Sequence, residues 1–284
     1  MPQAAPEWTR DTPWRQGHAL SSEAAAALGL VHHSHPEDTL VVVISHDCDL
    51  ANANLEVEPD VEVIVGRRIA EPTGSFLWGK APKTLHLEVA CDDEQAFVEL
   101  QCRRKLILPK SRLAAWAPRE NFALDTIGLA VLRSWLASRY NRAAFPDAFN
   151  KRLEKTDFDK RLAKLLAAHG ELISFVYFDL AELSQQELPD GIPYELTVVL
   201  VYPPGDEPLD TADAVDEVVE KVEKLGQLRL SGKDGQPSEL VQFKACFALS
   251  EQDITISRAR HLMQWRLEHV TLKSEDDEPA PVNL

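Results

Sequence analysis

The sequence predicts an α+β fold in two parts: a β-rich domain, then a domain of mixed helices and strands. Three observations predict it. Between residues 39 and 110, short apolar or alternating runs are separated by close turns, the pattern of a small, strongly bent sheet or barrel. From Asp125 the apolar spacing lengthens to that of amphipathic helices. Beyond residue 172, strand-like runs return on either side of a long acidic helix. A chain of 284 residues has room for both parts. The expected divisions are an arm over residues 1–16, the β-rich domain over 17–118, the α+β domain over 119–273 and a disordered acidic tail over 274–284.

Taken in order, the arm is loose, with Trp8 and Trp14 as candidate anchors. Ser21-Ser22-Glu23 and the alanines to Leu28 read as a short helix, started by Ser and stopped by Gly29. His32, His33, His35 and Pro36 form a polar loop. Thr39 to Ile44 is a buried strand, and Val61 to Val65 is another, ended by Gly66. Thr84 to Val89 and Ala96 to Cys102 alternate, and Asp92-Asp93-Glu94 joins them into a hairpin. Lys105 to Leu108 is a short strand stopped by Pro109.

Ile127, Leu129, Leu132, Trp135 and Leu136 mark a helix, and Pro146 starts a shorter one. Phe158, Leu162, Leu165 and Leu166 mark a third, ended by Gly170. Leu172–Phe178, Tyr194–Tyr202 and Val241–Leu249 read as strands. Asp210 to Leu225 is a helix with Val215, Val218, Val219 and Val222 on one face and carboxylates on the other. His261 to Trp265 ends a short helix before a last strand, Leu267 to Leu272.

Hydrophobic content of 44% and charged content of 27% are ordinary for a folded domain. No apolar run approaches the ~20 residues of a membrane span. The first fifteen residues lack the basic start and apolar middle of a secretory signal, so a cytoplasmic protein with no membrane partner is expected. Cys48, Cys91, Cys102 and Cys246 are scattered with no CxxC pair, against a disulfide framework or a structural zinc module. The net charge of −16 is uneven: −6 over residues 1–120, +4 over 121–170 and −14 over 171–284. The acidic last third disfavours nucleic acid on that surface and suits a protein partner. The basic island includes Arg139, Tyr140 and Arg142, which would grip a phosphate backbone and stack a base. The plainer reading is a solvated helical face paired with Glu154, Asp157 and Asp159.

The first strand runs directly into Ser45-His46-Asp47-Cys48-Asp49, and functional groups often emerge where a rigid element ends. One reading makes Cys48 a nucleophile with His46 as its base. Asp47 and Asp49 disfavour that thiolate unless Arg67 or Arg68 approaches. A second reading places a divalent metal on Asp47 and Asp49, helped by His46, His33 or His35. A third is structural, with the two carboxylates capping a turn while Cys48 and Leu50 pack inward. Separately, Pro59-Asp60 and Glu99-Leu100-Gln101 imitate a metal-nuclease pattern in which Gln101 replaces the usual Lys.

Trp14-Arg15-Gln16-Gly17, Val41-Val42-Val43-Ile44-Ser45, Val61–Val65 and Lys105–Leu108 follow one another in a layout that resembles the SH3-like barrel of MazF/PemK/CcdB-type toxins. The likeness covers less than half of the chain. It implies an SH3-like barrel in a bacterial toxin-type, mobile-element or defence protein that binds or cleaves nucleic acid. The residues themselves offer the catalytic candidates His46, Asp47, Cys48, Asp49 and Arg67, with Arg68 on the ligand. That family places Arg-Pro before its central strand, where this chain has Pro36-Glu37-Asp38, and a Thr or Ser after the next, where this chain has Gly66-Arg67-Arg68. In RNA cleavage an Arg stabilises the pentacoordinate phosphate and a nearby acid or base moves the 2′-OH proton. Ile44–Ala51 and Arg139–Asp147 also resemble segments of bacterial proteins of unknown function, which implies a prokaryotic source. The alternatives are a non-catalytic protein-binding adaptor and a metal-dependent hydrolase built on Asp47 and Asp49.

Overall fold

The computed structural model describes residues 7–92, 94–138, 140, 145–181, 186–205, 208–232 and 238–266. The chain forms two compact units, each mixing helix and strand. One takes the residues up to Pro72 and Pro82–Ala137, and the other takes Thr73–Ala81 and the described residues from Ser138. The division falls after residue 137 rather than 118, because a helix placed by sequence in the second domain puts Leu132 and Trp135 into the first core.

The first unit contains α1 (Ser22–Ala27), β1 (Thr39–Val43), α2 (Asp47–Ala51), β2 (Asp60–Ile69), β3 (Thr84–Cys91), β4 (Glu94–Gln101), β5 (Lys105–Pro109), α3 (Lys110–Leu113), β6 (Phe122–Ala123) and α4 (Thr126–Ser138). Its antiparallel sheet runs β1-β2-β4-β3-β6, with β5 also on β2. Val41 and Val43 enter one apolar cluster, with Trp14, Val63, Val65 and Leu108. Leu40, Val42 and Ile44 enter another, with Leu85, Val98, Leu100 and Trp135. Burial on both faces accounts for the unbroken apolar run of β1.

β2 does not stop at Gly66, as its sequence suggested. One edge pairs with β1, while the other pairs with β5 over Asp60–Ile64 and with β4 over Arg67–Ile69. Gly66 sits at this change of partner, where a Cβ would lie 2.6 Å from the Glu99 carbonyl oxygen. Its small size lets β4 close on the strand.

Residues 7–16 are anchored rather than loose. Trp8 Nε1 donates to the Leu50 carbonyl at 2.8 Å and Trp14 Nε1 to that of Trp116 at 3.2 Å, with both rings buried. Ser21 caps α1 by accepting from the Ala24 N–H, and Gly29 leaves the helix at φ 75°.

The second unit contains α5 (Asp147–Thr156), α6 (Phe158–Ala167), β7 (Phe175–Asp179), β8 (Tyr194–Tyr202), α7 (Pro208–Arg229), β9 (Val241–Ser250), α8 (Ile256–His261) and β10 (Met263–Gln264). Its sheet runs β10-β7-β8-β9, and only β8 and β9 are parallel, which is why the long α7 joins them. Phe149, Phe158, Phe178, Tyr194, Val198, Val218 and Val222 fill the core. The strand expected from Leu172 begins at Phe175. Before it, the carbonyls of Gly170 and Ile173 accept from buried Lys80 Nζ at 2.6 and 2.8 Å. Burial pushes that amine down to about 7. The strand expected over Leu267–Leu272 and the tail lie outside the described residues. Among the described residues, no helix is long and apolar enough to cross a membrane.

Candidate functional site

Strand register gathers polar side chains that the sequence keeps far apart. Thr39 of β1 lies opposite Arg67 of β2, Arg67 opposite Glu99 of β4, and Glu99 opposite His86 of β3. Directly opposed residues share a face of the sheet, so the four form one row across four strands. Alternation puts Thr39 on the side of Val41 and Val43, and Arg67 on that of Val63 and Val65.

Arg67 Nε donates to Glu99 Oε1 at 2.9 Å, and His86 Nε2 lies 3.2 Å from Glu99 Oε2. Gln101 Nε2 donates to Glu99 Oε1 at 3.4 Å, and Gln101 Oε1 accepts from Arg103 Nε at 3.1 Å and Arg104 Nε at 3.4 Å. From the loop before β1, His35 Nε2 accepts from Arg67 Nη1. His86 and Glu99 are buried, while the Arg67 side chain keeps 23% of its surface exposed. One arginine thus meets the carboxylate, and two more reach the glutamine beside it, in a chain of net charge −16.

Burial pushes the Glu99 carboxyl up, but the hydrogen bonds from His86 and Arg67 and their charges outweigh it and hold the group at about 2. His32 is buried beside the row; burial first, then the charges of Arg104, Arg67 and His35, bring it down to about 4 despite the opposing pull of Glu99. A guanidinium, an ionised carboxylate and imidazoles in contact can hold an oxyanion and move protons.

The Ser45–Asp49 turn is a separate place. β1 ends at Val43 and residues 47–51 form α2, so His46 and Cys48 do not share the face of a continuing strand. His46 is the N-cap, its Nδ1 accepting from the Cys48 N–H at 3.2 Å. Asp47 Oδ1 accepts from the Gln16 N–H at 2.7 Å, and Gln16 reaches on to the Ile44 carbonyl at 2.8 Å and to Arg133 Nε at 2.6 Å. Buried Lys110 donates to the carbonyls of Asp49 and Asn52 at 2.6 and 2.9 Å, closing the far end of α2. Leu50 packs inward as expected, but Cys48 is exposed, because it lies on the outer side of this short helix.

Arg67 pairs with Thr39, six residues back along β1 from Ser45, which is about 20 Å of strand. It does not serve Cys48. His35 is turned to Arg67 rather than to Asp47 and Asp49, and among the described residues no three His, Cys, Asp or Glu gather to hold a metal ion. Asp60 and Glu99 face opposite ends of β2, so the nuclease-like pair is not assembled. Arg68 pairs with Glu94 at 3.1 Å, and Tyr140 is exposed. Arg139 and Arg142 lie outside the described residues.

Reasoning from sequence found Arg67 and the His35 loop, but missed Thr39 and His86 and gave Glu99 a different role. The available signal was His86 itself, a polar residue between Leu85 and Leu87 in a strand otherwise buried on both faces there. Comparison of the chain with protein-family models, curated proteins and solved structures finds no match.

Proposed function

We propose that the chain binds RNA at the Arg67–Glu99–His86 row and cleaves its phosphodiester bonds. The proposal keeps the SH3-like barrel and the bacterial, cytoplasmic toxin-type or defence setting that the sequence suggests. One observation carries it: a partly exposed guanidinium, a buried carboxylate and an imidazole share one cross-strand row, and a second imidazole reaches the guanidinium from the loop before β1. Arg67 would hold the non-bridging phosphate oxygens. That phosphate competes with Glu99 for the guanidinium, so the carboxyl rises from about 2 towards its ordinary range and becomes a usable base for the 2′-OH.

The test is cleavage of short single-stranded RNA by wild type, Arg67→Ala and Glu99→Gln, each checked for native circular dichroism. Each variant is expected to lose at least about a hundredfold in rate. A folded wild type that neither binds nor cuts RNA overturns the reading. Loss in Asp47→Ala or Asp49→Ala without loss in Arg67→Ala would return the reading to a metal-dependent hydrolase on the Asp-x-Asp turn. One feature favours the adaptor as the second reading: Phe175, Tyr177, Phe247 and Leu249 form a half-buried apolar face on the second sheet, with Arg258 5.0 Å over the Phe247 ring.

A further inference from the structure

We infer that His35 is the imidazole that touches the substrate phosphate and protonates its leaving group, and that His32 is the residue that positions it. The role of His35 rests on the RNA reading above; the role of His32 rests on geometry alone.

The loop from His32 to Thr39 is fastened to itself and to the row. His32 Nδ1 accepts from the His35 N–H at 3.2 Å, and the His32 N–H donates to Thr39 Oγ1 at 3.0 Å. Thr39 Oγ1 donates in turn to the Pro36 carbonyl at 2.8 Å, and the Asp38 N–H bonds the His35 carbonyl at 3.2 Å. The two imidazole rings lie 5.4 Å apart. Thr39 is also the first member of the row, opposite Arg67. A loop held in this way has little freedom in where it carries the His35 ring, and it carries it onto Arg67.

The contact itself indicates the ligand. An arginine has no acceptor, so His35 Nε2 accepts while the two touch. The contact sets a guanidinium and an imidazole side by side, and a bound anion would take hydrogen bonds from both. With a phosphate on Arg67, its oxygens accept, and a protonated His35 Nε2 becomes a second donor. The step then balances. Glu99 takes the 2′-OH proton, O2′ bonds to phosphorus, the P–O5′ bond breaks, and O5′ leaves with the proton from His35 Nε2. The products are a 2′,3′-cyclic phosphate and a 5′-OH. His32 stays unprotonated at neutral pH and remains an acceptor for the loop.

The experiment uses full-length wild type, His35→Ala, His32→Ala and His32→Asn, in which the Asn carbonyl oxygen takes the place of Nδ1. The readouts are RNA cleavage against pH and ring ¹⁵N signals of the histidines. His35→Ala is expected to lose at least about a hundredfold in kcat and the alkaline limb of the pH profile. His32→Ala is expected to lose about tenfold in kcat with KM little changed, and to shift the His35 ring signal. His32→Asn is expected to recover both. A His35→Ala enzyme with wild-type rate and pH profile removes His35 from the reaction. A His35 signal unmoved in His32→Ala, or no recovery in a folded His32→Asn, removes His32 as its positioner. If wild type cuts no RNA, the functional reading falls with the role of His35, and the ring signals alone decide the role of His32.

Discussion

Glu99 and His32 tie the site to acid stability through the same row. Unfolded, His32 takes up a proton below its ordinary 6.5; folded, it resists until about 4. Its contribution is therefore complete above pH 6.5 and is lost as pH falls towards 4, a difference of about 3 kcal/mol. Glu99 stays ionised in the fold down to about 2 against an ordinary 4.5, so its contribution is present above pH 4.5 and lost below that. Urea denaturation across pH 7 to 3 is expected to show stability falling in these two successive windows. His32→Asn should remove the first and leave the second; an unchanged upper window would mean that His32 is not the titrating group. At this scale the sequence was half legible. Arg67 stood out as a charge at a strand end, but its partners lie in a loop and on another strand, 32 residues away at both His35 and Glu99. No linear spacing encodes such a register.

Among elements, β2 governs how the row is assembled. Gly66 lets β4 approach the strand just where Arg67 meets Glu99. Gly66→Ala sets a methyl group against backbone and is expected to cost about 1–3 kcal/mol. It should also weaken RNA binding, because Glu99 must move; urea denaturation and fluorescence anisotropy check the two effects. The strands themselves were legible, since apolar runs with period two survive any tertiary context that buries them. Gly66 was misread because a glycine that breaks a strand and one that admits a close neighbour look alike in sequence. The turn after β1 stayed open in the sequence for a related reason. A polar run after a strand can extend it or cap a helix, and the bond from Cys48 N–H to His46 Nδ1 decides for the helix.

For the whole molecule, a net charge of −16 means that any nucleic acid would have to be held where arginines gather. Single-stranded binding should therefore depend weakly on salt, with a log–log slope of about −2 for roughly three phosphate contacts. A slope near zero in titrations between 50 and 200 mM salt would argue that no phosphate is held; those concentrations are about the usual range for such work. The α+β class was legible because the hydrophobic period changes along the chain. The membership of Thr73–Ala81 was not, because the partners of Lys80 lie 90 and 93 residues further on.

That segment has a practical consequence for dissecting the molecule. A fragment beginning at Ser138 lacks the amine that satisfies Gly170 and Ile173, and lacks the Gly74 backbone that sits against Gly170. The natural split is therefore not a cut into two halves but a peptide and its receptor. A synthetic 73–81 peptide added in trans should complement the fragment. Since the amine moves from its ordinary 10.5 to about 7 on docking, complementation releases a proton and should tighten between pH 7 and 9.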